Sequence, residues 1–270
     1  PRGMRRNYSL FGHTADLSRY DIAVKRDAGG RGGSISIVDD VKVGDVLLVS
    51  PPRNNFELAP RAKEFLFIAG GIGITPILSM MRHLREIGSA IFKLYYCTRD
   101  EESTAFIDVL QQEFPGQVVL HHDRGDTSQA YDFWTLLESP TSAHIYCCGP
   151  KGLMDGVADM SGHWPSGSVH FESFGVDARA FAENAPFTIR LARSGRTIAV
   201  SAEQTILEAL RADGHEVRSS CESGTCGTCK TRLISGEADH RDMVLLDDEK
   251  ADHIMACVSR AKSAELVLDL

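Results

Sequence analysis

The sequence predicts a multi-domain chain with a β-rich front, an α/β parallel-sheet middle and a compact α+β domain at the end. Three observations predict it. Residues up to about 58 alternate apolar and polar positions between glycine-rich turns. From Glu64 to Gly175 short apolar strands alternate with helical patterns. Four of the seven cysteines, Cys221, Cys226, Cys229 and Cys257, then crowd into the C-terminal part of the chain.

In the front segment the alternation is clearest at Tyr20 to Lys25 and Asp45 to Val49. In the middle, strands are expected at Phe65 to Ala69, Phe92 to Cys97, Val118 to His121, His144 to Cys147 and Val169 to Phe171. Helices are expected at Ile77 to Ile87 and Gly152 to Met160. This spacing implies right-handed crossovers and a parallel sheet. Residues 176–186, small and polar up to Pro186, read as a linker. Beyond it, Phe187 to Leu191 and Thr197 to Val200 form a hairpin around Ser194 and Gly195, followed by the amphipathic helix Ile206 to Ala212. The expected division is 1–60, 61–175, the linker and 187–270.

Charge narrows the function classes. With 29 Lys+Arg against 37 Asp+Glu and a net charge of -8, the general field repels phosphate backbones, so no nucleic-acid partner is expected. The longest uncharged run, Phe65 to Met81, is interrupted by Gly70, Gly71, Gly73, Thr75 and Pro76, which makes it a strand, a loop and a helix and not a membrane span. No apolar signal segment opens the chain, so a cytoplasmic location is expected. A first residue of Pro1 suggests that something lies upstream.

The cysteine loop is the strongest motif. Cys221, Cys226 and Cys229 are spaced C-x4-C-x2-C with Cys257 downstream, the plant-type pattern for four thiolates on a [2Fe-2S] cluster. Three ligands on one tight loop require small residues between them, and Gly224 and Gly227 permit positive φ where amides turn toward sulfur. A zinc site would ordinarily use two C-x2-C knuckles, and only one occurs. Cys97, Cys147 and Cys148 lie on apolar strands and read as buried small hydrophobes.

Two glycine turns suggest a nucleotide crevice. Gly70 to Pro76 leaves a strand and opens a helix, where amides and the helix dipole bind a pyrophosphate. Alone this is weak, because it departs from G-x-G-x-x-G. Cys148-Gly149-Pro150 ends a second strand of the same sheet and also opens a helix, and two such turns on one carboxyl edge make the crevice that binds ligands in open α/β sheets. A nicotinamide cofactor releases two electrons as hydride and the cluster accepts one, so a chain with both sites needs a carrier able to do either, which is flavin. At the end of the second middle strand, Thr98 and Asp100 flank Arg99, so an acid and a base are both available to read the ribose.

The ordered set Arg6-Asn7-Tyr8-Ser9, Gly30 to Ser34, Gly-Gly-x-Gly-x-Thr-Pro, Cys148-Gly149-Pro150 and the C-terminal cysteine loop resembles the phthalate dioxygenase reductase family along nearly the whole chain. The resemblance implies a β-barrel flavin domain that binds FMN, an α/β domain that binds NADH, and a ferredoxin-like (β-grasp) domain. It also implies a Rieske-type terminal oxygenase as partner. A monomer is expected. By motif, Arg6 binds the FMN phosphate, Tyr8 stacks on the ring, Ser9 bonds near N5, and Ala23, Val24 and Lys25 meet the ring edge through backbone. Arg31, Gly32, Gly33 and Ser34 meet the phosphate at a helix start. Gly71, Gly73, Thr75, Pro76, Thr98, Asp100, Cys148, Gly149 and Pro150 hold NADH. Ser9, Thr75, Cys148 and Phe174 surround the point of hydride transfer, where no catalytic histidine or carboxylate is expected. Taken one at a time, Arg6 reads as a surface cation, Tyr8 as an edge residue and Phe174 as a core aromatic. The set carries the assignment. Only five residues precede Arg6 where typical strand and loop lengths give about fifty for the first barrel strands, so the barrel is expected to be N-terminally incomplete.

Two weaker constellations remain. His121-His122-Asp123 imitates a two-His, one-carboxylate iron site, but adjacent residues on a strand face opposite ways. The acids Asp239, Asp242, Asp247, Asp248, Glu249 and Asp252 form either a solvated face or a dock for a basic partner.

Overall fold

The computed structural model describes residues 6–13, 16–29, 32–88, 90–165, 167–174, 184–219, 222 and 224–270. Arg31, Cys221 and the linker residues 176–183 lie outside the described residues. The backbone divides into two compact units, 1–172 and 173–270.

The first unit is built on a parallel sheet of β1 (Glu64–Gly70), β2 (Ile91–Thr98), β3 (Val118–His122), β4 (His144–Cys148) and β5 (Val169–Glu172) in the order β3-β2-β1-β4-β5. The five strands predicted from apolar runs are all present, each within a residue or two of its expected bounds. Such runs are buried on both faces, as parallel strands require, and Phe67, Ile68, Leu94, Ile145 and Cys147 are fully buried. The strand order reverses between β1 and β4, so the crevice lies at their carboxyl ends.

Helices follow the strands. After α1 (Gly33–Asp40) in the front segment come α2 (Ile74–Ile87), α3 (Ile107–Glu113), α4 (Trp134–Leu137) and α5 (Lys151–Ser161). Pro76 sits in the first turn of α2, where its missing N–H costs nothing. Gly88, at φ 64°, ends the same helix in the left-handed region and donates to the Leu84 carbonyl. The apolar face of α2 buries Ile74, Ile77, Leu78, Met81 and Leu84 on the sheet.

The front of this unit departs from its β-rich expectation. Among its described residues there is α1 and one antiparallel bridge, Leu10 to Ile22, and no longer strand. An alternating segment becomes a strand only where neighbours complete its ladder and cover its apolar face. Val43, Val46 and Leu48 are instead almost wholly exposed. Among the described residues no helix is long and apolar enough to cross a membrane.

The second unit carries β6 (Phe187–Leu191), β7 (Thr197–Val200), α6 (Ile206–Ala212), β8 (Lys230–Ser235), β9 (Ala238–Asp239), β10 (His253–Met255), β11 (Arg260–Ala261) and β12 (Glu265–Leu268). Its main sheet runs β10-β8-β12-β6-β7, with β12 parallel to β6 and antiparallel to β8. The hairpin and the helix occupy the predicted residues. A capping box starts α6, with the Thr205 hydroxyl accepting from the Glu208 amide and the Glu208 carboxylate accepting from the Thr205 amide. Ile206, Leu207, Ala209 and Leu210 then bury its inner face.

Tyr146 on β4 ties the front segment to the sheet. Its hydroxyl donates to the Glu57 carbonyl at 2.8 Å and accepts from the Ala59 amide at 2.7 Å. Burial raises its phenol pKa and keeps it a neutral donor. Tyr146→Phe strands both backbone groups and is expected to cost about 1–3 kcal/mol, read as a lower urea midpoint for the first unit.

Candidate functional site

Two glycine turns meet at the switch point. A Cβ on Gly73 would stand 2.1 Å from the Cys148 carbonyl oxygen, and one on Gly149 would stand 2.9 Å from the Gly70 Cα. Only glycines allow this approach. Gly70, Gly73 and Gly149 therefore serve the contact between the turns. Gly71 is different: its φ is 51° and nothing lies within 4 Å of its would-be Cβ, so its backbone is open to a ligand. Its carbonyl accepts from the Tyr96 hydroxyl at 2.9 Å, which fixes the turn from below. Pro150 opens α5 as Gly73 opens α2, so two helix N-termini face the same edge.

Several predicted nucleotide residues brace the crevice. The Thr75 hydroxyl donates to the Ile72 carbonyl at 3.1 Å. Buried Thr98 shares its hydroxyl with Thr104 at 2.7 Å and His122 Nδ1 at 2.9 Å. The Asp100 carboxylate accepts from the Ser103 amide at 2.8 Å, and hydrogen bonds from Ser103 hold its pKa below the ordinary carboxylate range. His121 bonds instead to the Gln129 carbonyl at 2.7 Å, so the two histidines are engaged separately.

The front segment builds a second site. The antiparallel Leu10–Ile22 bridge joins the chain just after the Arg6 to Ser9 motif to the chain just before Ala23, Val24 and Lys25. A Cβ on Gly33 would fall 2.7 Å from Arg6 Nε, so the Arg6 side chain lies on the first turn of α1. Gly32, the N-cap, has φ 79°, and Ser34 Oγ accepts from the Asp27 amide at 3.0 Å. The first turn carries no acid. A cation laid over free helix amides suits a dianionic phosphate, and FMN offers one. Burial raises the Tyr8 pKa, with nearby Arg6 opposing that shift.

The two sites are linked by a residue that sequence reasoning missed. Ser9 Oγ donates to Glu172 Oε2 at 3.3 Å across 163 residues of chain. Glu172 ends β5 and pairs in register with Cys148. Burial, then the Glu172 carboxylate, push the Cys148 thiol well above its ordinary pKa and keep it neutral. Ser9, Cys148 and Glu172 thus converge where the flavin motif meets the nucleotide turn. Phe174, two residues on, is 45% exposed. A lone acid at a strand end has no motif, and only the Ser9 contact marks it.

In the second unit the cysteine loop fits a cluster. Gly224 has φ 78° and Gly227 φ 76°. A Cβ on Gly224 would meet Val258 Cγ2 at 2.8 Å and Asp242 Cα at 3.1 Å, so the loop lies tight on the chain that follows Cys257. Cys229 and Cys257 are buried, and Cys226 is half-buried beside the Thr228 hydroxyl at 3.2 Å. The Leu207 amide of α6 donates to the Ala256 carbonyl at 2.9 Å and steadies the Cys257 side. Among the described residues no three His, Cys, Asp or Glu gather around one ion. A two-iron cluster shares its four thiolates between two metals.

The acidic run is largely paired within the unit. Asp239 meets Arg241 at 2.6 Å, Asp247 meets Lys250 at 2.8 Å, Glu249 meets Lys230, and the Asp242 side chain is buried.

Residues 67–159 match the model of the oxidoreductase NAD-binding domain, and residues 189–262 match that of the 2Fe-2S iron-sulfur cluster binding domain. A phthalate dioxygenase reductase of Burkholderia cepacia is 60% identical over 272 residues, covering 100% of this chain and 84% of that protein. A phthalate 4,5-dioxygenase oxygenase reductase subunit of Pseudomonas putida is 58% identical over 272 residues, covering 100% and 84%. A solved phthalate dioxygenase reductase, described as modular for electron transfer from pyridine nucleotides to [2Fe-2S], matches with a TM-score of 0.79 and 60% identity, covering 100% of this chain and 85% of that one.

Gly224→Ala places a side chain at positive φ against Val258 and Asp242. It is expected to prevent stable cluster assembly, read as loss of the iron-sulfur bands and of acid-labile sulfide while the flavin bands and NADH binding persist.

Proposed function

The chain belongs to the phthalate dioxygenase reductase family, and we propose that it supplies a Rieske-type terminal oxygenase acting on an aromatic carboxylate of the phthalate class, working as a cytoplasmic monomer. It is an oxidoreductase that carries electrons from NADH through FMN to a [2Fe-2S] cluster. One observation supports the reading above others: a nucleotide crevice and a plant-type cysteine loop share one chain. FMN, when bound, accepts two electrons together as hydride and releases them singly.

The residues divide the work. Arg6 and the first turn of α1 hold the FMN phosphate, with Gly32, Gly33 and Ser34 providing backbone and hydroxyl contacts and Arg31 a further charge. Tyr8 covers one side of the ring site, while Ala23, Val24 and Lys25 line its edge. Gly71 admits the NADH pyrophosphate between the helix starts at Pro76 and Pro150, the Gly73–Gly149 contact sets the crevice floor, and Thr75, Thr98 and Asp100 shape its walls. Ser9 donates its hydroxyl hydrogen bond to Glu172, which leaves the lone pairs of the Ser9 oxygen to accept beside the point of transfer. Buried, neutral Cys148 excludes water there. Cys221, Cys226, Cys229 and Cys257 hold the cluster, and the described exposed edge of their loop, at Thr228, faces the acceptor.

Two variants test this division. Cys226→Ser is expected to abolish reduction of a one-electron protein acceptor and leave NADH oxidation by a flavin-directed dye within about twofold. Loss of both activities together contradicts the reading. Glu172→Leu removes the acceptor and is expected to slow hydride transfer by about 10- to 100-fold at saturating NADH, because the Ser9 oxygen loses its fixed orientation. An unchanged rate removes Glu172 from the site.

A further inference from the structure

The helix α2 runs from the crevice to the front segment. Its N-terminus follows the Gly71–Gly73 turn of the crevice. About two turns further along, Arg82 is buried, with a side chain 7% exposed. Its Nε and Nη2 donate to the Glu113 carboxylate at 3.1 and 2.6 Å, and its Nη1 donates to the Phe11 carbonyl at 2.8 Å. Phe11 lies two residues beyond Ser9, on the segment that begins with Arg6.

The grip on Phe11 comes from two sides. Its ring packs against Phe106 with centroids 4.8 Å apart. Phe106 is the N-cap of α3 and has φ 63°, a conformation that is costly for an aromatic residue and persists only where surroundings fix it. Glu113 is the last residue of that helix. So α3 presents the ring at one end and the carboxylate at the other, and Arg82 closes the loop through the Phe11 main chain. Arg85 also donates to Glu113, at 2.8 Å to the carboxylate and 3.0 Å to the carbonyl. Hydrogen bonding from Arg82, partly offset by burial, holds the Glu113 pKa below the ordinary carboxylate range. A buried ion pair of this kind is weak in net stability compared with an apolar isostere, and its best-attested use is to fix register.

We propose that Arg82 is a positioning residue for hydride transfer. It locks the Phe11 main chain, and with it the Arg6 to Ser9 motif, to the helix whose first turn receives the nicotinamide nucleotide. The two reacting centres must meet at about 3–3.5 Å, and a misplacement of about 1 Å costs on the order of 100-fold. The proposal rests on the NADH-to-FMN reading above.

Anaerobic stopped-flow reduction of the FMN-loaded protein by NADH tests it, with hydrogen exchange of the peptide spanning residues 7–13 as a second readout. Arg82→Met is expected to lower the flavin-bleaching rate at saturating NADH by about 10- to 100-fold and to speed exchange in that peptide. FMN content and NADH affinity should stay within about twofold. Arg82→Lys keeps the cation but lacks the fork that spans Glu113 and Phe11, so it should fall between the two and decides the matter if Arg82→Met does not fold. A wild-type bleaching rate in both variants overturns the proposal. So does a loss that disappears once FMN occupancy is restored, since Arg82 would then act only on flavin retention. If NADH fails to bleach the flavin of the wild-type protein, the electron-path reading itself falls, whatever the variants do.

Discussion

The contact between the Gly70–Gly73 turn and the Cys148–Gly149 turn is the constraint on which the first unit depends. It lets the ends of β1 and β4 approach until backbone meets backbone, with no room for a Cβ at Gly73. Strand order reverses there, so α2 and α5 leave the sheet on either side and both N-termini face one crevice. Opening that contact by a side chain would separate the turns and displace the Cys148 thiol from Glu172. The same position therefore governs the fold and the chemistry.

The proposed flavin and nucleotide sites are joined by polar contacts over long stretches of chain. Ser9 reaches Glu172 from the front segment, and Arg82 reaches Phe11 from the sheet side. Each bond spans a large sequence separation, at 3.3 Å for Ser9 and 2.8 Å for Arg82. Hydride transfer needs alignment more than acid or base strength, so contacts of this kind act through the position they set. The second unit follows another logic. Its electron site is a loop whose left-handed Gly224 packs on residues 242 and 258, with Cys229 and Cys257 buried and Cys226 half-buried, and α6 bonds to Ala256 beside Cys257.

Much of this is legible in the sequence because the signals are local. Apolar runs between glycine turns mark β1 to β5, the hairpin and α6 occupy the expected residues, and C-x4-C-x2-C marks the cluster loop. The pairing of Arg6 with Gly33 follows from the ordered motifs. What sequence reasoning misses is non-local. Glu172 has no neighbouring motif and matters only through Ser9. Thr75 and Thr98 look like ligand contacts, yet their hydroxyls are engaged by Ile72, Thr104 and His122. The alternation at residues 20–25 and 45–49 predicts strands, but alternation records only which face should be covered. Without ladder partners the segments stay outside the sheet, and Val46 and Leu48 remain exposed.

The most direct test of the electron path is an anaerobic titration with NADH, followed by visible absorbance and by electron paramagnetic resonance of the cluster. The account predicts that NADH bleaches the flavin and iron-sulfur bands together and produces the reduced-cluster signal. A cluster whose absorbance NADH leaves unchanged, in protein loaded with FMN, would contradict it.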